Sequence, residues 1–162
     1  MISMRYVTDR DAKPLSEVLC ACIREHCSPD HHNDSELIAR WTANKTPELM
    51  TRWIANPSLI LFLAERNEQP AGVGCISADG EVLLNYVSPA HRFRGISRAI
   101  LKHAEAALAE IGVSKGRLTS TETAHRFYRE AGWTDVGEPE IMFGLRGYPM
   151  EKELKPPSDM SP

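Results

Sequence analysis

From residue 2 to about residue 154 the hydrophobic period of the chain changes repeatedly, and each change marks an element. Residues 2–8 read as a short strand. Between 9 and 27 the apolar residues Leu15, Val18, Leu19, Cys22 and Ile23 recur at helical spacing, with Pro14 tolerable in the first turn. Turn residues make 27–34 a loop. Ser35 is placed to cap a helix carrying Leu37, Ile38 and Trp41. Thr46-Pro47-Glu48 opens another, with a cap, a proline at the first helical position and an early acid. After Pro57 the apolar runs become short. Residues 59–66, 71–78 and 81–88, bounded by turn residues, read as an antiparallel meander. A long helix follows over 95–111, with Ile96, Ile100, Ala104, Leu108 and Ile111 on one stripe and Gly112 to end it. A strand near 117–120, a helix near 123–131 and strands near 133–136 and 148–154 complete the pattern. It predicts an α/β fold: a mixed, mostly antiparallel sheet of six to seven strands flanked by helices on both faces. One domain spans 1–155, and a polar, proline-rich tail over 156–162 is expected to be disordered.

Composition narrows the function classes. A chain of 162 residues suits one domain, and 42% hydrophobic with 25% charged residues is ordinary for a globular protein. The formal net charge of -3 speaks against a nucleic-acid partner. No apolar run approaches the roughly 20 residues needed to span a membrane, and the first residues lack a signal-peptide layout, so a cytoplasmic location is expected. There the four cysteines, Cys20, Cys22, Cys27 and Cys75, would stay reduced. His26, Cys27, His31 and His32 are close in sequence, but their spacing matches no zinc pattern, and no metal is expected.

Chemistry concentrates where the third meander strand runs through Ser88-Pro89 into an arginine-rich loop and then the long helix. The first amides of a helix lack partners and carry partial positive charge, which makes the junction an anion site. Arg92, Arg94 and Arg98 add full charges, and Gly95 allows close backbone approach. The ligand this suits is a phosphate or pyrophosphate. A P-loop is excluded by the missing Gly-Lys-Ser/Thr, and the three-glycine dinucleotide fingerprint is absent too. The bland alternative is a solvated basic turn that caps a core helix.

The run Arg92-Phe93-Arg94-Gly95-Ile96-Ser97 resembles the acetyl-CoA motif of the GNAT (GCN5-related N-acetyltransferase) superfamily, Gln/Arg-x-x-Gly-x-Gly/Ala. Downstream, TETAHRFYREAGW is similar to that family's second signature: Ala124, Phe127, Tyr128 and Gly132 match, with Trp133 in the aromatic place. The order of elements over 2–154 follows the same pattern. The resemblance implies a GNAT-like fold whose two motif strands part to admit the pantetheine arm of acetyl-CoA, the co-substrate. It implies cofactor contacts from Val87, Arg92, Phe93, Arg94, Gly95, Ile96, Ser97, Arg98, Thr121 and Phe127. It also implies that Tyr128 protonates the departing thiolate. Two departures stand out: Ser97 replaces a glycine or alanine, and Thr121 an asparagine, which bears on one polar contact to the pantetheine arm.

On this reading the protein transfers an acetyl group to a primary amine by direct attack on the thioester. No cysteine nucleophile is needed, and none is expected near either motif. Glu81, at the start of the central strand, is a candidate general base, although strand-edge glutamates are commonly plain solubilising charges. His31, His32 and Tyr86 are candidates to line the acceptor site, with residues 24–56 setting specificity. His91 and His125 are expected to fringe the cofactor site. The acceptor is a small-molecule or peptide amine, no nucleic acid or membrane is expected as partner, and a homodimer is left open. Two rivals remain: a catalytically silent acyl-CoA-binding sensor, and an interaction protein whose 92–98 segment is a basic docking surface.

Overall fold

Two antiparallel sheets meet along one seam, and that seam decides where a ligand can enter. A computed structural model of the chain describes residues 1–142 and 144–157. The first sheet has the order β1 (Ile2–Tyr6), β2 (Leu59–Arg66), β3 (Gln69–Ser77), β4 (Val82–Val87). The second places β8 (Leu145–Glu153) between β5 (Lys115–Ser120) and β6 (Thr134–Asp135), with β7 (Glu140–Met142) also paired to β8. Helices α1 (Ala12–His26), α2 (Ser28–His31), α3 (Ser35–Thr42), α4 (Pro47–Ala55), α5 (Ile96–Glu110) and α6 (His125–Glu130) complete the domain. None of the helices is long and apolar enough to cross a membrane, among the described residues. The expected tail falls outside the described residues from 158 on; Pro156 and Pro157 carry no regular structure.

The central strands β2 and β3 are covered on both faces, which explains their unbroken apolar runs. Successive side chains of β2 alternate between two cores. Phe62 and Ala64 join the core under α5, with Ile96, Ile100 and Leu108. Leu61 and Leu63 join the core under α1, with Leu15, Leu19 and Met50. The helical stripe Leu15, Val18, Leu19, Cys22 and Ile23 is buried, as its periodicity predicts. Two glycines let α5 sit close to the sheet. A Cβ on Gly74 would lie 2.3 Å from Phe62 Cζ, and one on Gly72 would lie 2.7 Å from Ile100 Cδ1.

Several local expectations change in detail. The first helix begins with a 3-10 turn over Asp9–Asp11, capped by Thr8 and tied down by the Asp11 carboxylate, which accepts from Arg5 at 2.9 Å. Asp34, not Ser35, caps α3: its Oδ1 accepts from the Glu36 amide at 2.8 Å and the Leu37 amide at 3.1 Å. The loop 27–34 contains the single turn α2. Strand β7 is unexpected because all three of its residues are exposed and carry no alternation. Thr46 caps α4, as its sequence context predicts.

β4 and β5 lie side by side, yet they share only the parallel bridge between Glu81 and Arg117, with the Arg117 amide donating to Gly80 O at 2.9 Å. No ladder continues between them among the described residues. Between Cys75 and Ile76 the register with β4 also shifts, leaving Leu83 as an extra residue. Such a bulge bends the strand that carries it. The strands thus diverge from the bridge towards Val87 and Ser120, and a wedge opens between them.

The tight fit of Gly74 against Phe62 of β2 and Ile100 of α5 predicts a cost for any side chain at position 74. Gly74→Ala is expected to lower stability by about 1–3 kcal/mol, the usual size of overpacking. Adding Phe62→Leu removes the ring atom that the new methyl would strike. Urea unfolding should therefore show the double variant losing less than the two single losses combined. Additive losses would mean that the Phe62 ring is not the obstacle.

Candidate active site

The wedge holds a cleft of about 290 Å³. One wall is β4, whose edge towards β5 has no strand partner past the bridge. The other wall is Leu118, Thr119 and Thr121, and α6 closes the floor with Ala124, Phe127 and Tyr128. A second hollow of about 320 Å³ lies over the loop 92–95. The two spaces share His26, Val87, Arg92, Ser97 and Phe127, so they form one path from the loop into the wedge.

The loop is built for an anion. A 3-10 turn over Pro89–His91 ends β4's run, and Phe93 and Gly95 then take positive φ, 62° and 77°. Phe93 is 88% exposed, and the Arg92 guanidinium sits 4.7 Å from its ring centroid. A non-glycine residue in that left-handed region carries a backbone cost. The first intrahelical bond of α5 runs from the Ala99 amide to Gly95 O at 3.1 Å. The amides of Ile96, Ser97 and Arg98 therefore have no partner within the helix, and no side chain caps them. A Cβ at Gly95 would meet nothing within 4 Å. Beside it, His91 is buried with Nδ1 unpartnered.

Ser97 has a role its sequence position did not announce. Its Oγ donates to Asn85 Oδ1 at 3.2 Å, and Asn85 Nδ2 donates to Ser97 O at 3.2 Å. This reciprocal pair pins the first turn of α5 to the middle of β4. Thr121, in the second motif, accepts from the Ala124 amide at 3.2 Å, so its hydroxyl orients the turn into α6.

Tyr128 is 7% exposed and stands at the floor of the cleft, packed at 5.2 Å from Phe127 and 6.3 Å from Trp133 between ring centroids. Burial pushes its phenol up to about 12, and contact with the Asn85 side chain opposes part of that rise. Tyr86 also lines the cleft, and burial raises its phenol further. Both hydroxyls keep their protons at neutral pH.

Other expected residues lie elsewhere. Glu81 is at the closed end of the wedge, where Arg117 Nη2 approaches at 4.0 Å, and it does not line the cleft. Burial raises its carboxyl and Arg117 opposes the shift. His31 is fully buried: Nε2 donates to Ile23 O at 2.7 Å and Nδ1 accepts from the Asn33 amide at 3.0 Å. With both nitrogens committed it cannot meet an acceptor. His32, exposed at φ 51°, lines a shallow outer hollow with Glu122 and Arg146. His125 faces Asp135 at 2.6 Å and stacks on Tyr148 at 3.9 Å, away from the cleft. Among the described residues no three His, Cys, Asp or Glu side chains converge as metal ligands.

Sequence reasoning missed three contributors. Cys22 and Cys27, expected to lie apart from both motifs, line the cleft with His26, whose Nδ1 is 4.0 Å from Cys22 Sγ. The end of α1 simply packs against β4 there. Asp30 is buried, and its carboxylate accepts from the Glu122 amide at 2.7 Å, the Thr123 amide at 3.0 Å and the Thr123 hydroxyl. It ties α2 to the second motif across 92 residues of chain, a distance over which no local pattern carries a signal.

No curated protein matches the sequence closely enough to count as a relative. Among solved structures, a GCN5-related N-acetyltransferase from Rhodopseudomonas palustris superposes with a TM-score of 0.84 at 17% identity, covering 94% of this chain and 95% of that one. The PaiA N-acetyltransferase from Thermoplasma acidophilum, solved in complex with coenzyme A, gives 0.73 at 21% identity, covering 94% and 99%. YjaB from Escherichia coli gives 0.67 at 19% identity, covering 96% and 99%. These likenesses show the fold. The model of the acetyltransferase (GNAT) domain matches residues 24–154, a span that contains both motifs and the whole wedge, and the chain therefore belongs to the GNAT acetyltransferase family.

Proposed function

We propose that this protein transfers the acetyl group of acetyl-CoA to a primary amine by direct attack on the thioester. The observation that carries the reading is the continuous path from the cationic loop to Tyr128. The unpaired helix amides of 96–98, together with Arg92, Arg94 and Arg98, suit a pyrophosphate. The open edge of β4 up to Val87 suits an extended amide-bearing arm, which would pair with it as an added strand. The cofactor supplies an activated acyl group, and the chain supplies position and hydrogen bonds.

Tyr128 is the proposed donor to the departing sulfur. At about 12 its phenol is a weaker acid than a thiol of about 8.5, so complete proton transfer to the thiolate is uphill. Its contribution is then a hydrogen bond that strengthens as charge grows on sulfur. Glu81 lies outside the cleft and is not assigned as base; the proton of the acceptor amine leaves through water. The silent-sensor reading is separated by turnover, since a sensor binds the cofactor without releasing thiol.

Two expectations test the cofactor site. Acetyl-CoA at 100 times its dissociation constant should stabilise the fold by about 2.7 kcal/mol, read as a rise in melting temperature. Pantetheine, which lacks the pyrophosphate, should give little. Gly95→Val should weaken CoA binding, because the left-handed φ of 77° is unfavourable for a branched side chain and the methyls would stand in the open space before the helix amides. Wild-type affinity in that variant would remove the pyrophosphate from this loop.

Tyr128→Phe deletes only the hydroxyl. Turnover should fall by about 10² or more with CoA affinity unchanged, the signature of an interaction made in the transition state. The wild-type rate should rise with pH as the acceptor amine loses its proton, and Tyr128 should impose no descending limb below its own titration near 12. A wild-type rate in Tyr128→Phe would return this residue to a packing role.

A further inference from the structure

A third cavity of about 390 Å³ lies against the cleft, on the side of the α3–α4 connection and the β7–β8 hairpin. Thr119 and Thr121 line both spaces, so a small molecule seated here can present a group to the wedge. Its surface is largely apolar, with Trp41, Ala43, Met142 and Leu145 among the lining residues. One feature is out of place in such a wall. Lys45 lines the cavity and is only 9% exposed.

Buried charges are ordinarily paired. Lys45 has no carboxylate within ion-pair distance among the described residues, and its single side-chain hydrogen bond goes to the neutral Asn44 Oδ1 at 2.7 Å. Of the other charges around the cavity, Asp30 and Arg40 are already engaged. Asp30 spends its carboxylate on Glu122 and Thr123, as described above. Arg40 is exposed and bonded to Glu36 at 2.7 Å. Arg146 is exposed beside Tyr148 and Glu122. Burial lowers the Lys45 ammonium from its ordinary value, the shift expected where a cation lacks its counter-charge.

We infer that this cavity is the acceptor subsite and that it takes an amine whose compact apolar body also carries a carboxylate, held by Lys45, as in an apolar α-amino acid. The inference rests on the transferase reading for the use of the site, not for its chemistry. The carboxylate restores the missing counter-charge of Lys45, the apolar body lies along Trp41 and Leu145, and the amine points past Thr119 and Thr121 into the wedge. Cationic acceptors without an anion, such as polyamines, would add a second positive charge beside Lys45 and are disfavoured.

Binding of a product analogue reads the pocket without turnover. Protein with CoA in excess is titrated calorimetrically with N-acetyl-L-phenylalanine and with N-acetyl-L-phenylalaninamide. The acid is expected to bind at least about tenfold more tightly, because the amide leaves the buried ammonium unpaired. Lys45→Met should abolish that preference by weakening the acid alone, and Lys45→Arg should keep part of it. CoA titration of each variant checks folding, and Lys45→Gln gives the same comparison if the methionine variant does not fold. Equal affinities in the wild type, no detectable binding of the acid, or a preference that survives Lys45→Met would overturn the inference. Thiol release from acetyl-CoA with phenylalanine is measured in parallel. Preferential binding of the acid without thiol release would leave the subsite standing and remove the transferase reading. Thiol release with anion-free amines and equal affinities would do the reverse.

Discussion

The cleft of this domain depends on β4 and β5 ceasing to pair after the Glu81–Arg117 bridge. An interior strand edge without a partner leaves amides and carbonyls unsatisfied, which a stable fold normally avoids. Here the break is held in place from three directions. The bulge at Leu83 turns β4 away. Tyr128 and Leu118 fill the base of the gap from the α5 side. Asp30 fixes the loop that leads from β5 into α6. The separation is therefore built by packing on both faces, and the polar groups it exposes are available to a ligand with an extended amide backbone of its own.

Electrostatics then divides the space. The formal charge of the chain is negative, yet the path through it begins at Arg92, Arg98 and the positive end of α5, and one buried lysine stands on its far side. Arg92 is also close enough to His26 to lower the affinity of its imidazole for a proton, after burial, which acts first. The wall of α1 thus offers a neutral histidine and two thiols rather than further cations. A ligand with negative charge at one end and a neutral body fits this gradient better than one charged along its length.

What the sequence made legible follows from which interactions are local. The stripe of α1, the Thr46 cap, the meander and the loop 92–98 each announce themselves within a few residues, because periodicity, caps and turn chemistry act over that range. The family resemblance added Tyr128, whose role no periodicity could supply. Residues whose function depends on a distant partner stayed hidden. Asp30 reads as a loop acid until it meets Glu122 and Thr123. Lys45 carries no signal in the sequence, and only the fold buries it. His31 errs in the opposite direction: in sequence it looks free, and in the fold both nitrogens are taken by nearby backbone. Cys22 sits on a stripe that predicts burial correctly but cannot say that the buried face meets an active cleft.

The placement of Tyr128 limits how the chemistry can work. A phenol raised to about 12 is a poor acid, and an enzyme needing proton transfer alone would gain by leaving it more exposed. Burial instead packs the ring against Phe127 and Trp133, at the cleft that Asn85 of β4 also lines, and Asn85 in turn locks Ser97 and with it the first turn of α5. Central strand and first turn of α5 are thereby joined through one amide side chain, on the same cleft that Tyr128 lines. A hydrogen bond whose geometry is set before the sulfur becomes charged needs no reorganisation at the moment of reaction, and preorganised donors of that kind are worth more in a closed site than in water. The departure of Ser97 from the family pattern is then not a tolerated blemish: its hydroxyl bonds Asn85 and fixes the first turn of α5, with its unpaired amides, against β4.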